Sequence, residues 1–131
     1  MNIDHVAIYV NNLEVVKKFF VKYFGVHTGE KYTNFSNDFS SYFLTFDNGT
    51  QLEIMHRQSM IDPKKDKYRS GYHHIAINVG SKEDVDKITS EMEDDGIFIV
   101  TAPRKTGDGY YASIVADPED NEIEILAGDT P

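Results

Sequence analysis

Two histidines and two glutamates of this 131-residue chain sit at matched places. His5 opens the run His5-Val6-Ala7-Ile8-Tyr9-Val10, and His74 opens His74-Ile75-Ala76-Ile77-Asn78-Val79, 69 positions later. Glu53 closes the run from Asp47 through Asn48-Gly49-Thr50-Gln51-Leu52, followed by Ile54. Glu124 sits likewise, 71 positions on, in the run from Asp117 through Asn121-Glu122-Ile123 to Ile125. Two carboxylates brought close without compensation repel, and one must take up a proton. A divalent cation removes the conflict, and two neutral imidazoles with two carboxylates balance its charge. Imidazole with carboxylate suits Ni, Co, Mn, Fe or Zn. Four protein ligands on a six-coordinate ion leave one or two positions for water, where metal-assisted chemistry takes place. Taken singly, each residue reads as an ordinary strand histidine or a solvent-facing glutamate; their duplication makes them a set. His27, His56 and His73 keep that ordinary reading, His56 and His73 because they point away from the faces described next.

Those faces follow from strand alternation. His5, Ala7 and Tyr9 share one side, as do His74, Ala76 and Asn78. Gln51, Glu53, Met55 and Arg57 share another, as do Glu122, Glu124 and Leu126. The opposite sides carry Leu52 and Ile54, or Ile123 and Ile125, and suit packing under a helix. The first helix is predicted after a cap at Asn11 or Asn12, with Leu13, Val16, Phe19, Phe20, Tyr23 and Phe24 as its apolar stripe and Gly25 as its stop. Three β segments follow near 27–35, 40–46 and 50–57, the last two joined by an Asp47-Asn48-Gly49 turn. The second half begins with a strand over 73–79. Ser81 with Asp84 makes a capping-box variant, Val85, Ile88 and Met92 line the buried helix face, and Gly96 stops the helix. Strands near 97–103, 110–116 and 121–127 complete it. Each half therefore reads as βαβββ: repeat 1 over about 1–57, a polar linker over about 58–72, and repeat 2 over about 73–131. The linker holds Pro63 and the basic group Lys64, Lys65, Lys67 and Arg69; it is a solvated connection or a flap over a site. Thr106-Gly107-Asp108-Gly109 reads as a turn or the edge of a pocket.

Composition narrows the classes. Hydrophobic residues make up 40% and aromatics 12%, enough for a real core. There is no cysteine, which excludes disulfides, thiolate metal sites and cysteine nucleophiles. Twenty-two acidic residues against 13 basic give a net charge of −9, a surface that repels nucleic acid and anionic membranes. No apolar run is long enough to span a bilayer, and the first residues show no signal-peptide pattern. The expectation is a cytoplasmic domain whose partners are a small molecule and a second copy of itself.

The duplicated βαβββ halves, each with a His on its first strand and a Glu on its last, resemble the vicinal oxygen chelate superfamily, whose best-known member is glyoxalase I, a lactoylglutathione lyase. The stretch from Thr106 to Ile125 is especially similar to small bacterial members. The resemblance covers nearly the whole chain and implies an α+β fold in which the two repeats form an eight-stranded, incompletely closed barrel. It places the metal ligands on His5, Glu53, His74 and Glu124. It implies nickel or cobalt in preference to zinc, manganese or iron, and a homodimer. The reaction implied is an isomerisation: methylglyoxal and glutathione form a hemithioacetal, and a glutamate moves a proton between neighbouring carbons. Glu124 is the base, with Glu53 serving the other face. The fold is shared by several reactions.

The chain departs from glyoxalase I where that enzyme holds glutathione. Tyr9 stands where it carries an arginine, and Arg57 stands where it carries an asparagine. Arg104, with Lys105, falls near its basic glutathione contacts. These departures speak against glutathione as cosubstrate and leave Tyr9, Arg57 and Arg104 as substrate-binding candidates, Arg57 for a carboxylate or phosphonate or else a surface ion pair. The expectation is a metal-dependent lyase or isomerase acting on vicinal oxygens. The alternatives are an epimerase, a fosfomycin-modifying enzyme or a dioxygenase of the same superfamily, or a non-catalytic small-molecule binding protein.

Overall fold

A computed structural model describes residues 1–128; the last three residues of the predicted second repeat lie outside the described residues. The chain divides into two compact units, Met1–Pro63 and Lys64–Pro131. The first runs β1 (His5–Tyr9), α1 (Leu13–Phe24), β2 (His27–Thr28), β3 (Tyr32–Asn34), β4 (Phe39–Thr45) and β5 (Gln51–Arg57). The second runs β6 (His74–Gly80), α2 (Lys82–Asp94), β7 (Ile99–Lys105), β8 (Tyr111–Ala116) and β9 (Glu122–Ala127). The class is α+β, as read from the sequence; the second unit is βαβββ, and the first has the same plan with one segment split into β2 and β3. Each unit has its own open sheet, ordered β1-β5-β4-β2 with β3 also on β4, and β6-β9-β8-β7.

Local chemistry sets the element ends. The Asn12 side chain accepts from Val15 N at 3.1 Å, which settles the first cap, and Gly25 takes a left-handed φ of 61° with its N–H on Val21 O. Ser81 and Asp84 form a complete capping box. Gly96, at φ 85°, and Ile97 donate to Glu93 O and Met92 O, the paired bonds of a Schellman stop. The β4–β5 turn is closed by Phe46 N to Thr50 O at 2.9 Å, and the β8–β9 turn by Asp117 N to Asn121 O at 2.8 Å, so the repeat extends to turn geometry.

Several boundaries differ from the sequence reading. The segment predicted over 27–35 is broken into β2 and β3. Thr28 pairs with Leu44 and Tyr32 with Ser41, so three residues oppose two, and the extra one breaks the ladder. The described residues therefore hold nine strands rather than eight. The strand predicted over 97–103 is Ile99–Lys105; it lies at a sheet edge, where Pro103 costs no ladder bond. In the 58–72 stretch no helix or strand forms. Arg69 donates to Asp66 O and Tyr72 O, and Lys65 to Glu119 O at 2.6 Å, so two of its four cations are held by backbone carbonyls, while Lys64 pairs with Asp66 and Lys67 lies over the Tyr68 ring.

Each helix packs on one face of its sheet. Leu13, Val16, Phe19 and Phe20 are buried with Leu44, Leu52 and Ile54. Tyr23 and Phe24, predicted on the same stripe, are only partly covered. In the second unit Val85 and Met92 are buried with Val115, Ile123 and Ile125. Thr89 takes the buried place predicted for Ile88, which is half-buried. Its hydroxyl is satisfied by Val85 O at 2.6 Å and by Ser113 Oγ at 2.8 Å, which makes burial tolerable. Among the described residues no helix is long and apolar enough to cross a membrane.

Candidate functional site

The face of each sheet turned away from its helix carries the chemistry. β1 pairs with β5 in parallel, His5 opposite Gln51 and Ala7 opposite Glu53. β6 pairs with β9 the same way, His74 opposite Glu122 and Ala76 opposite Glu124. The two registers are identical, so both repeats set a histidine two residues out of step with a glutamate on one open face. The predicted alternation holds: Leu52, Ile54, Ile123 and Ile125 are buried, while Glu53 and Glu124 are half-buried on the other side.

In the first unit the pair is made. His5 Nε2 lies 3.6 Å from Glu53 Oε1. His5 Nδ1 lies 2.8 Å from Asp4 Oδ2, and the neutral tautomer that donates from Nδ1 to this carboxylate keeps its lone pair on Nε2, beside Glu53. The Phe43 ring, on the residue opposite Glu53, meets the imidazole edge-on at 5.3 Å between centroids. Two ligand atoms on one ion, with bonds of about 2.1 Å, stand roughly 3.0–3.4 Å apart. The His5–Glu53 pair fits a divalent cation with a small side-chain adjustment. Asp4 is in the position of the outer carboxylate that orients metal-bound histidines.

The second unit has the same plan with different partners. His74 Nδ1 lies 2.8 Å from His73 Nδ1, so the residue preceding the histidine again holds its Nδ1 edge. His73 Nε2 lies 3.7 Å from Glu122 Oε2. This corrects the sequence reading of His73 as turned away: it precedes the first residue of β6, where strict alternation does not yet apply. Glu122 Oε1 is buried with no hydrogen-bond partner among the described residues. An acceptor left so calls for a donor or a cation. The signals that would have pointed to Asp4, His73 and Glu122 were their places one residue before each histidine and two before the second glutamate.

The turn ahead of β9 is held by Asp117, which is buried. Its Oδ1 accepts from Glu119 N at 2.8 Å and Asn121 N at 2.9 Å. Burial pushes its carboxyl above the ordinary value despite those bonds. His56 stays off the open face, its Nδ1 3.0 Å from Val10 O. Of the substrate-binding candidates, Tyr9 is 48% exposed on the His5 face. Arg57 gives one N–H to Asn37 O at 3.2 Å. Arg104 is tied to Ala112 O at 2.8 Å. Among the described residues no group of three or more His, Asp or Glu side chains is set to hold a metal ion; the geometry consists of pairs on each unit.

Comparison with known proteins agrees with this layout. The sequence profile of the Glyoxalase/Bleomycin resistance protein/Dioxygenase superfamily matches residues 2–125. The protein YqjT of Bacillus subtilis (strain 168) is 25% identical over 130 residues, covering 94% of this chain and 96% of that one. A glyoxalase/bleomycin resistance protein/dioxygenase domain from Frankia sp. EAN1pec superposes with a TM-score of 0.83 at 15% identity, covering 98% of this chain and 92% of that one. The trypanothione-dependent glyoxalase I of Leishmania major superposes with a TM-score of 0.77 at 24% identity, covering 97% and 86%. At these identities the superpositions speak for the fold, and the profile match for the family. With paired βαβββ repeats and a His–Glu register repeated on each open face, the chain belongs to the Glyoxalase/Bleomycin resistance protein/Dioxygenase superfamily.

Proposed function

We propose that this protein is a divalent-metal-dependent lyase or isomerase that moves a proton on a small molecule bound through two adjacent oxygens. His5, Glu53, His74 and Glu124 are the metal ligands in this reading, and a homodimer is the expected assembly. The observation that carries it is the His5–Glu53 pair, Nε2 to Oε1 3.6 Å, with Asp4 holding the far nitrogen. The repeated register of β6 and β9 supports the second half of the set. Nickel or cobalt is the favoured ion, with zinc, manganese or iron able to use the same donors.

When bound, the cation supplies Lewis acidity to the two substrate oxygens and acidifies the adjacent C–H. The protein residues do the rest. Glu124 takes the proton from one carbon and returns it to the next, a step typically worth about 10²–10⁴-fold. Glu53, half-buried between Ala7 and Phe43, serves the opposite face of the substrate. Phe43 and the half-buried Met55 limit water around the reacting end. Membership of the superfamily supports a small-molecule reaction of this kind, while Tyr9 and Arg57 argue against glutathione as the thiol.

Elemental analysis of purified protein is the direct test. The expected result is about one transition-metal ion per site in the wild type and near none in His5→Ala and Glu124→Ala. Equal, near-zero metal in all three would replace this reading with that of a non-catalytic binding protein. Stripped protein reloaded with nickel, cobalt, zinc or manganese is then assayed for lactoylglutathione formation. Inactivity with every ion ends the glutathione version alone. Oxygen consumption or fosfomycin turnover identifies the other branches of the superfamily.

A further inference from the structure

The two repeats agree at His5/His74 and Glu53/Glu124 and part company farther along the same strands. On the open face, Tyr9 and Arg57 of the first unit correspond to Asn78 and Gly128 of the second. The second unit closes this corner. Asn78 Oδ1 accepts from Gly80 N at 2.9 Å, and its amide fills the place a Cβ on Gly128 would take, 2.7 Å away. Gly128 N donates to Gly80 O at 2.6 Å.

The first unit builds the same corner from large side chains and one cation. Arg57 pairs with Phe39 across β5 and β4, and its guanidinium carbon lies 5.5 Å from the Phe39 ring centroid. Tyr32 meets the Phe39 ring edge-on, 6.1 Å between centroids. One Arg57 N–H goes to Asn37 O; a guanidinium has five. Among the described residues no carboxylate stands within ion-pair distance of Arg57, although the chain carries 22 acidic residues. A partly buried guanidinium stacked on an aromatic ring, with open donors and no acid, is matched to an oxyanion from outside.

We propose that Arg57, with Phe39, Tyr32 and Tyr9, forms an anion subsite, and that the molecule bound on this face is a small organic carboxylate or phosphonate with an aromatic or apolar body. The proposal rests on the reading of Glu53 as the reacting end. Glu53 and Arg57 are four residue steps apart on an extended strand, about 13 Å. Met55 lies between them on the same face. A ligand spanning the two lays its apolar middle over Met55 and Tyr9, its anion on Arg57, and its vicinal oxygens beside Glu53. The planar fork of arginine accepts a carboxylate through two parallel bonds, and a phosphonate through two of its three oxygens.

The test uses metal-free full-length protein, so its outcome does not depend on whether an ion binds. Phenylacetate, benzylphosphonate and neutral 2-phenylacetamide are titrated while the Arg57 Nε–H is followed by NMR. Both anions, or one of them, should shift that resonance to saturation, and the stronger of the two identifies the oxyanion. The amide should not. Followed by isothermal titration calorimetry, Arg57→Gln should weaken anion binding about tenfold or more relative to wild type, with Arg57→Lys intermediate because it keeps the charge and loses the fork. Equal binding of the amide, no saturable binding by either anion, or unchanged binding by folded Arg57→Gln protein overturns the subsite. A separate nickel titration of the wild type decides the metal reading: nickel bound without Arg57-dependent anion binding defeats only the subsite, and the converse defeats only the metal.

Discussion

The Asp4 carboxylate stands 2.8 Å from Nδ1 of His5 and so presents Nε2, not Nδ1, to Glu53. Partners of this kind typically change metal affinity by about 10–100-fold when removed. Asp4 is 86% exposed, and solvent screening places the effect at the low end. Asp4→Ala should therefore bind nickel or zinc up to about tenfold more weakly, measured by competition with a chromophoric chelator. Unchanged affinity would reduce the contact to a surface pair.

Glu53 and Ile54 are chain neighbours with opposite duties. Ile54 is fully buried beneath α1, and Ile54→Ala should cost about 2–5 kcal/mol in urea unfolding. Glu53→Gln keeps the shape of a half-buried side chain off the core and should stay within about 0.5 kcal/mol of wild type. A large loss from Glu53→Gln would mean that the carboxylate holds the fold. In that case an activity loss on its removal would not identify a site residue.

Asp117 makes stability depend on pH in an unusual direction. Burial raises its folded pKa above the ordinary 3.8. The folded chain thus holds the proton more tightly than the unfolded chain, and this contribution is complete below 3.8 and lost as pH rises through the raised value. Asp117→Asn keeps an acceptor oxygen for the N–H groups of Glu119 and Asn121 but cannot ionise. Its stability relative to wild type should therefore improve as pH rises from about 3.5 toward neutrality. A difference independent of pH, by paired thermal melts, would contradict the raised value.

Gly80 joins β6 to α2 at a φ of 115°, where side chains are strained. A Cβ there would meet Asp84 Oδ2 at 2.7 Å, the same oxygen that accepts from Ser81 N at 2.9 Å. Gly80→Ala should cost about 1–3 kcal/mol. Combined with Asp84→Ala it should cost less than the sum of the single changes, because both disturb one cap. Additive losses in urea unfolding would show that the clash leaves the cap intact.

What the sequence determined by itself is what short segments decide. The caps at Asn12 and at Ser81 with Asp84, the stop at Gly25, and the turns closed by Phe46–Thr50 and Asp117–Asn121 are hydrogen bonds within a few residues. The sidedness of Glu53 and Glu124 follows from a two-residue period, whatever the strands pair with. Tertiary structure decided the rest. His5 meets Glu53 because β1 enters its sheet parallel to β5, with Gln51 as its direct neighbour, a register between segments far apart in the chain. The division of 27–35 into β2 and β3 depends on how that segment meets β4, not on its own residues. His73 reaches Glu122 because it lies just outside β6, free of the alternation that would have turned it away. Thr89 is buried because Ser113 on another element satisfies its hydroxyl. Long-range pairing and burial outweigh local preference at each of these positions, and these pairings bring the charged side chains into register on the open faces.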